Sequence, residues 1–211
     1  QKDPNHRIDI ARDKVTVNNN SVEKAWNVYV MLNKPRGLVT TRHDPRARDT
    51  VYRCFDGAAL PFISPVGRLD KASEGLLLFT NDTRWAAEVT SPHSHVEKVY
   101  HVQVSVVPTA ELAARIAAGI DAVDPATGAT EHLAVRRAAV LRAGDRHGWL
   151  EIVLDEGRNR HIRRLAGAHG VEVLRLVRVS IGSVELGALG KGEWRRLTDA
   201  EVRQLAPVTR R

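Results

Sequence analysis

The spacing of apolar residues changes along the chain, and each change marks an expected element. "WNVYVMLNKP", residues 26–35, is rich in β-branched and aromatic residues and predicts a strand stopped by Pro35. "EGLLLFT", 74–80, is a short continuous apolar run, as in a strand buried on both faces. "KVYHVQVSVV" alternates. Tyr100, Val102, Val104 and Val106 share one face, with His101, Gln103 and Ser105 opposite. "GWLEIVLDEG" and "EVLRLVRVSIG" predict two further strands. Between these the period lengthens to that of a helix. Asn81 or Asp82 can cap "TRWAAEV", and Thr109 can cap "AELAARIAA", which Gly119 stops. "RNRHIRRLAGAH" reads as a helix ended by Gly170. Thr198 and Glu201 have capping-box spacing for a last helix, closed by Pro207.

Strands and helices do not alternate regularly, and there is no internal repeat. That order predicts an α+β fold with a mixed, mostly antiparallel sheet and flanking helices. Residues 1–25, with "DKVTV" as one short strand and "VNNNS" after it, are too polar to form a core. They are read as an N-terminal tail or the remnant of a neighbouring module, with no second domain boundary inside 26–211. The 211 residues suffice for a sizeable core. No apolar run approaches the roughly 20 residues that span a bilayer, so no membrane partner is expected.

Charge narrows the partners. Lys and Arg total 32 against 25 Asp and Glu, a formal charge of +7. Most of the cations are Arg, whose planar fork suits phosphate and stacks on bases, so nucleic acid is the first partner to consider. Cys54 is the single cysteine. An intramolecular disulfide is excluded, and a cytoplasmic location is the simplest expectation.

Two segments could carry chemistry. In "LDEGRNRHIRRL", 154–165, four arginines fall at 158, 160, 163 and 164. On a helix starting near Asn159, Ile162, Leu165, Ala166 and His169 form a largely apolar stripe. Arg160 and Arg164 lie roughly opposite it, while Arg163 flanks it and calls for an acidic partner. In "GRLDKASEGLLLFTND", 67–82, Asp70 sits between Arg68 and Lys71 at the mouth of the apolar run. Glu74 or Asp82 could join Asp70 as a glycosidase pair or a cation site, but nothing in the sequence fixes their separation. His93 and His95 have one distant cysteine and no HExxH to complete a zinc site, so no metal is expected.

Taken together, "LNKPRGLVTT", "GRLDKASEGLLLFTND", "EKVYHV", "EGRNRHIRRL" and "GEWRRLT" resemble, in order and spacing, the motifs of the pseudouridine synthases, specifically the ribosomal RsuA/RluE-type group. The resemblance covers most of 26–207. It implies the pseudouridine synthase catalytic fold, isomerisation of a uridine in ribosomal RNA to pseudouridine, and no cofactor or metal. It implies Asp70 as nucleophile and leaves open attack on the uracil ring or on the ribose anomeric carbon. Arg68 matches the residue that helps extrude the nucleotide. Tyr100 matches the aromatic that packs on the flipped base. Ile162 and Arg163 match the pair that buttresses the base and salt-bridges the Asp. Arg36, Arg42, Arg46, Arg48, Lys71, Arg158, Arg160 and Arg164 are then the RNA-backbone contacts, and the protein is expected to act as a monomer. Two positions depart from the family pattern: Ser73 stands where Thr is frequent, and His161 where Gln is usual. Two other classes also fit parts of the sequence, a non-catalytic RNA-binding or assembly factor on the same fold and a carboxylate-based hydrolase.

Overall fold

A computed structural model describes residues 26–124 and 127–206, preceded by two two-residue strands, β1 (Thr16–Val17) and β2 (Asn20–Ser21). Apart from these strands, the expected tail lies outside the described residues, as does Pro207. The strands that follow are β3 (Tyr29–Lys34), β4 (Ser64–Val66), β5 (Glu74–Thr80), β6 (Lys98–Val104), β7 (Ile120–Val123) and β8 (Thr130–Leu133). β9 (Arg137–Ala143), β10 (Gly148–Leu154), β11 (Val173–Ile181), β12 (Val184–Glu185) and β13 (Trp194–Arg196) complete the set. The helices are α1 (Thr83–Thr90), α2 (Ala110–Ala118), α3 (His161–Ala168) and α4 (Asp199–Leu205).

The main sheet runs β13-β3-β5-β11-β6-β10-β9, with β4 on β5 and β12 on β11. Every pairing in it is antiparallel except β5 with β11, so the expected mixed, mostly antiparallel α+β fold is found. All seven residues of β5 are buried because both faces of the strand are covered. Leu77 and Phe79 join Val30, Leu32, Tyr100 and Ile162 on one side, while Leu76 and Leu78 join Met31, Trp85 and Leu205 on the other. Truncating Leu77 to Ala would leave a closed cavity, at about 2–5 kcal/mol.

The caps follow the sequence. The Asp82 carboxylate accepts from the Arg84 and Trp85 amides, Thr109 accepts from Leu112, and Thr198 and Glu201 close a capping box. Asn81 has a different task, accepting from the Val28 amide and so tying the start of β3 to the end of β5. One boundary is corrected. α3 begins at His161, not Asn159, because Arg160 is left-handed (φ 49°, ψ 31°) and cannot propagate a right-handed helix. Gly75 has φ +100°, and a Cβ there would strike the carbonyl of Arg178. That close approach seats the parallel β5–β11 pairing, which begins at Glu74 and Gly75 just behind the Asp70 loop.

Candidate active site

Three segments distant in sequence meet around one cleft of about 650 Å³. The β4–β5 loop brings Arg68 and Asp70, β6 brings Lys98 and Tyr100, and the start of α3 brings Arg160, Ile162 and Arg163. Tyr100 and Ile162 are buried, at 8% and 3% exposure, so they form an apolar wall. Asp70 keeps 38% of its side-chain surface, enough to meet a ligand. Arg68 is exposed at the rim. The alternation of β6 explains Tyr100: its face turns inward with Val102 and Val104, both fully buried.

The expected Asp70–Arg163 ion pair is replaced by another. Arg160 Nη1 lies 3.7 Å from the Asp70 carboxylate. Arg163 instead donates from Nη1 to the Val173 carbonyl at 2.9 Å and from Nη2 to the Ala72 carbonyl at 3.2 Å. The left-handed backbone at Arg160 accounts for the difference, because residue 160 leaves the helix and its side chain reaches the cleft. Arg163 still belongs to the same electrostatic group. Burial lowers its pKa first, the charge of Arg160 lowers it further, Asp70 opposes that, and Arg36 adds to the lowering.

The Asp70 loop is anchored by residues the sequence reading passed over. Lys34, the last residue of β3, is fully buried. Its ammonium donates to the carbonyls of Ser73 (2.8 Å), Asp70 (3.1 Å) and Pro35 (3.1 Å). Burial lowers its pKa to about 8, against the pull of the Asp70 and Glu74 charges. Thr40 Oγ1 donates to the Leu69 carbonyl at 2.7 Å, and the Gly37 amide donates to the Lys71 carbonyl at 2.8 Å. The basic loop after β3 is therefore stitched to the loop that carries Asp70.

Glu74 is not a second active carboxylate. It is buried, accepts two hydrogen bonds from Arg175 at 3.0 Å each, and meets Lys191 at 2.9 Å. Burial raises its pKa, but these two cations more than reverse the effect and hold it below the ordinary carboxylate value. Asp82 is spent on the α1 cap. Among the described residues no group of three or more His, Cys, Asp or Glu could hold a metal ion. His161 is buried at 3% exposure, and burial lowers its pKa, so it stands neutral near pH 7.

The basic residues divide into two sets. Arg36, Arg42, Arg46 and Lys71 are exposed, with Arg42 stacked 4.2 Å from the Phe62 ring centre. Arg48 grips Asp44 with two hydrogen bonds of 2.7 Å. Arg164, expected to face solvent, is only 8% exposed and is paired with Glu131. Arg158 lines the cleft but also pairs with Glu131 and Glu156.

The chain is similar to known proteins in sequence and in structure. It matches the RNA pseudouridylate synthase family over residues 28–168. It is 33% identical over 193 residues to ribosomal large subunit pseudouridine synthase B of Bacillus subtilis, covering 92% of this chain and 77% of that protein. An uncharacterized RNA pseudouridine synthase of Mycobacterium bovis is 39% identical over 183 residues, covering 84% of this chain and 68% of that one. A crystal structure of a pseudouridylate synthase superposes with TM-score 0.73 at 31% identity, over 95% of this chain and 83% of that chain.

Proposed function

The chain belongs to the RNA pseudouridylate synthase family, and from that membership we propose that it converts a specific uridine of ribosomal RNA to pseudouridine with Asp70 as the nucleophile. One observation carries the assignment: Asp70, Tyr100, Ile162 and Arg163, from three separate segments, line a single cleft. A binding protein needs no carboxylate at the centre of an apolar-walled, cation-rimmed cleft. A paired-carboxylate hydrolase needs a free second acid: Glu74 and Asp82 are committed elsewhere, and Asp155 and Glu156, which also line the cleft, are paired with Arg136 and Arg158.

In the proposed reaction the bond from ribose C1′ to uracil N1 breaks, the ring turns, and a bond from C1′ to C5 replaces it. The C5 proton leaves and N1 gains one. A paired uridine must first leave its stack, which costs a few kcal/mol. Arg68, at the rim, fills the vacated space. Tyr100 and Ile162 pack the base. Asp70 attacks with Arg160 beside it, and Arg163 ties α3 to the Asp70 loop through the Ala72 carbonyl. Exposed Arg36, Arg42, Arg46 and Lys71 hold backbone phosphates, which position RNA without reading its sequence.

The deciding measurement is tritium release from ribosomal RNA labelled at uridine C5. Isomerisation releases the label. Neither binding nor hydrolysis of the glycosidic bond does, so an active preparation without release would overturn the reading.

A further inference from the structure

We propose that Arg178 reads the flipped uracil by donating to one of its carbonyl oxygens, an inference that rests on the function proposed above. Arg178 lies in β11 directly opposite Tyr100 of β6. Paired residues project to the same side of a sheet, so Arg178 faces the same way as the aromatic residue proposed to carry the base. Both side chains line the same cleft.

The side chain is underused within the protein. Arg178 is 6% exposed. Its Nε donates to the Leu76 carbonyl at 2.7 Å, which fixes its direction. Its Nη2 is buried and has no acceptor among the described residues. Arg175, three positions earlier on the same strand, shows what a satisfied arginine looks like here, with both arms on Glu74. A buried cationic donor left unpaired is expensive, and the cleft it lines is where an acceptor can arrive. Lys98 adds a second cation to this wall. Its ammonium donates to the Asp155 carbonyl at 3.3 Å. Burial lowers its pKa and the charge of Arg178 lowers it further.

A guanidinium can only donate. Uracil presents carbonyl oxygens O2 and O4 on either side of N3. Where the contacted oxygen is O4, cytosine, which carries an amino donor at position 4, would meet Arg178 donor to donor. Turning the ring about its N3–C6 line exchanges N1 with C5 and also exchanges O2 with O4. A donor fixed on one side therefore meets a carbonyl oxygen before and after the turn. The charge also fits. If the C1′–N1 bond breaks first, its electron pair enters the ring and spreads onto the two oxygens. If Asp70 attacks C6, the resulting enolate charge lies on O4. In both routes an oxygen gains negative charge, and a preorganised buried guanidinium favours that state.

The test uses the full chain and four RNAs of equal length. They carry uridine, 4-thiouridine, 2-thiouridine or an abasic ribose at the target position. Binding is compared in an Asp70→Asn background so that nothing is converted. Adding Arg178→Met should weaken binding to the uridine RNA by about 10- to 100-fold, the size of a lost hydrogen bond to a charged donor, and leave binding to the abasic RNA unchanged. Equal weakening on both would assign Arg178 to phosphate binding or to folding and overturn the inference. Single-turnover rates of the wild type should fall about tenfold or more on at least one thio-substituted RNA, because sulfur is a poorer acceptor. Arg178→Lys, which keeps the charge and loses the fork, should show a smaller thio effect. Wild-type rates indifferent to sulfur at both positions would overturn the inference even if Arg178→Met does not fold. Failure of the underlying function is separately visible, as wild-type protein that releases no tritium from any uridine RNA.

Discussion

Lys34 and Asp70 are joined by hydrogen bonding through the backbone: the Lys34 ammonium donates to the Asp70 carbonyl at 3.1 Å and spans the turn to the Ser73 carbonyl at 2.8 Å. The side chain proposed to attack is thus aimed by a buried cation that does not itself line the cleft. A fully buried Lys without a carboxylate on its ammonium is costly. Three carbonyl acceptors offset that cost, and the turn becomes rigid in exchange.

Replacing Lys34 with Met should therefore strand the Asp70 and Ser73 carbonyls. We expect a stability loss of about 2 kcal/mol or more and a fall in kcat larger than the change in RNA affinity. Denaturant melts and single-turnover rates on one preparation check both. A variant with normal kcat would show that the ammonium does not aim the loop.

The same residue gives a pH signature. Its folded pKa, about 8, lies below the ordinary lysine value of 10.5. Between those values the unfolded chain holds more protons than the folded one, so stability from this group rises with pH. Turnover should move the other way, because a neutral amine has two hydrogens for three carbonyls. Wild type minus Lys34→Met, followed from pH 7 to 10.5, should show stability rising and kcat falling. Parallel loss of both would contradict the assignment.

Glu201 provides the acid-side counterpart. Two hydrogen bonds from Arg195, at 2.7 and 2.9 Å, hold its pKa at about 2 against the ordinary glutamate value of 4.5. A depressed carboxylate contributes stability that is complete above the unfolded value and lost as pH falls through 4.5 towards 2. Glu201→Gln should thus converge with wild type in that window. Thr198→Ala, which removes the other half of the capping box, should cost about 1 kcal/mol at neutral pH. A Glu201→Gln stability deficit that persists at pH 2 would argue against the ion pair.

The elements that sequence reading recovered are those whose pattern is set by burial on a defined face. β5 read as doubly buried because seven residues in a row avoid water, and Tyr100 read as inward because its strand alternates. β9 escaped notice because "RAAVLRA" is a mostly exposed edge strand whose alanines and arginines carry no alternation. The candidate site was legible where a motif names a residue, as at Asp70 and Tyr100. It was not legible where tertiary contact decides the partner. A left-handed backbone at Arg160, invisible in the sequence, gives that residue the ion pair expected of Arg163. Lys34 left one clue, a lysine closing an apolar strand just before a proline, and was read as an ordinary strand end.

Phosphate binding should follow which arginines are free. With about six phosphates contacted, the log–log salt slope for RNA binding should be near roughly −5. Replacing Arg36, Arg42 and Arg46 together by Ala should reduce that slope by about 2.5. Arg48→Ala should leave it unchanged and lower thermal stability instead, because Arg48 is bound to Asp44. Filter binding from 50 to 300 mM salt reads all of these. An Arg48 variant that shifts the slope as much as Arg36 would overturn the division.

Base extrusion and chemistry should separate at Arg68 and Arg163. Arg68 is exposed at the rim with no hydrogen bond or ion pair among the described residues, whereas Arg163 is half-buried and bonded to the Ala72 and Val173 carbonyls. If Arg68 fills the gap left by the uridine, its value tracks the cost of unstacking, a few kcal/mol in a paired context. Arg68→Ala should then be badly impaired on a structured RNA and recover substantially when the target uridine is already unpaired. Arg163→Ala should show no such recovery, because the Asp70 loop loses its tie to α3 however the base arrives. Asp70→Asn, the reference, should abolish turnover on both RNAs while RNA binding survives. Single-turnover rates on a stacked and an unstacked substrate of equal length measure the three together. Equal losses for Arg68→Ala and Arg163→Ala on both RNAs would move Arg68 from extrusion to the chemical step or to general phosphate binding.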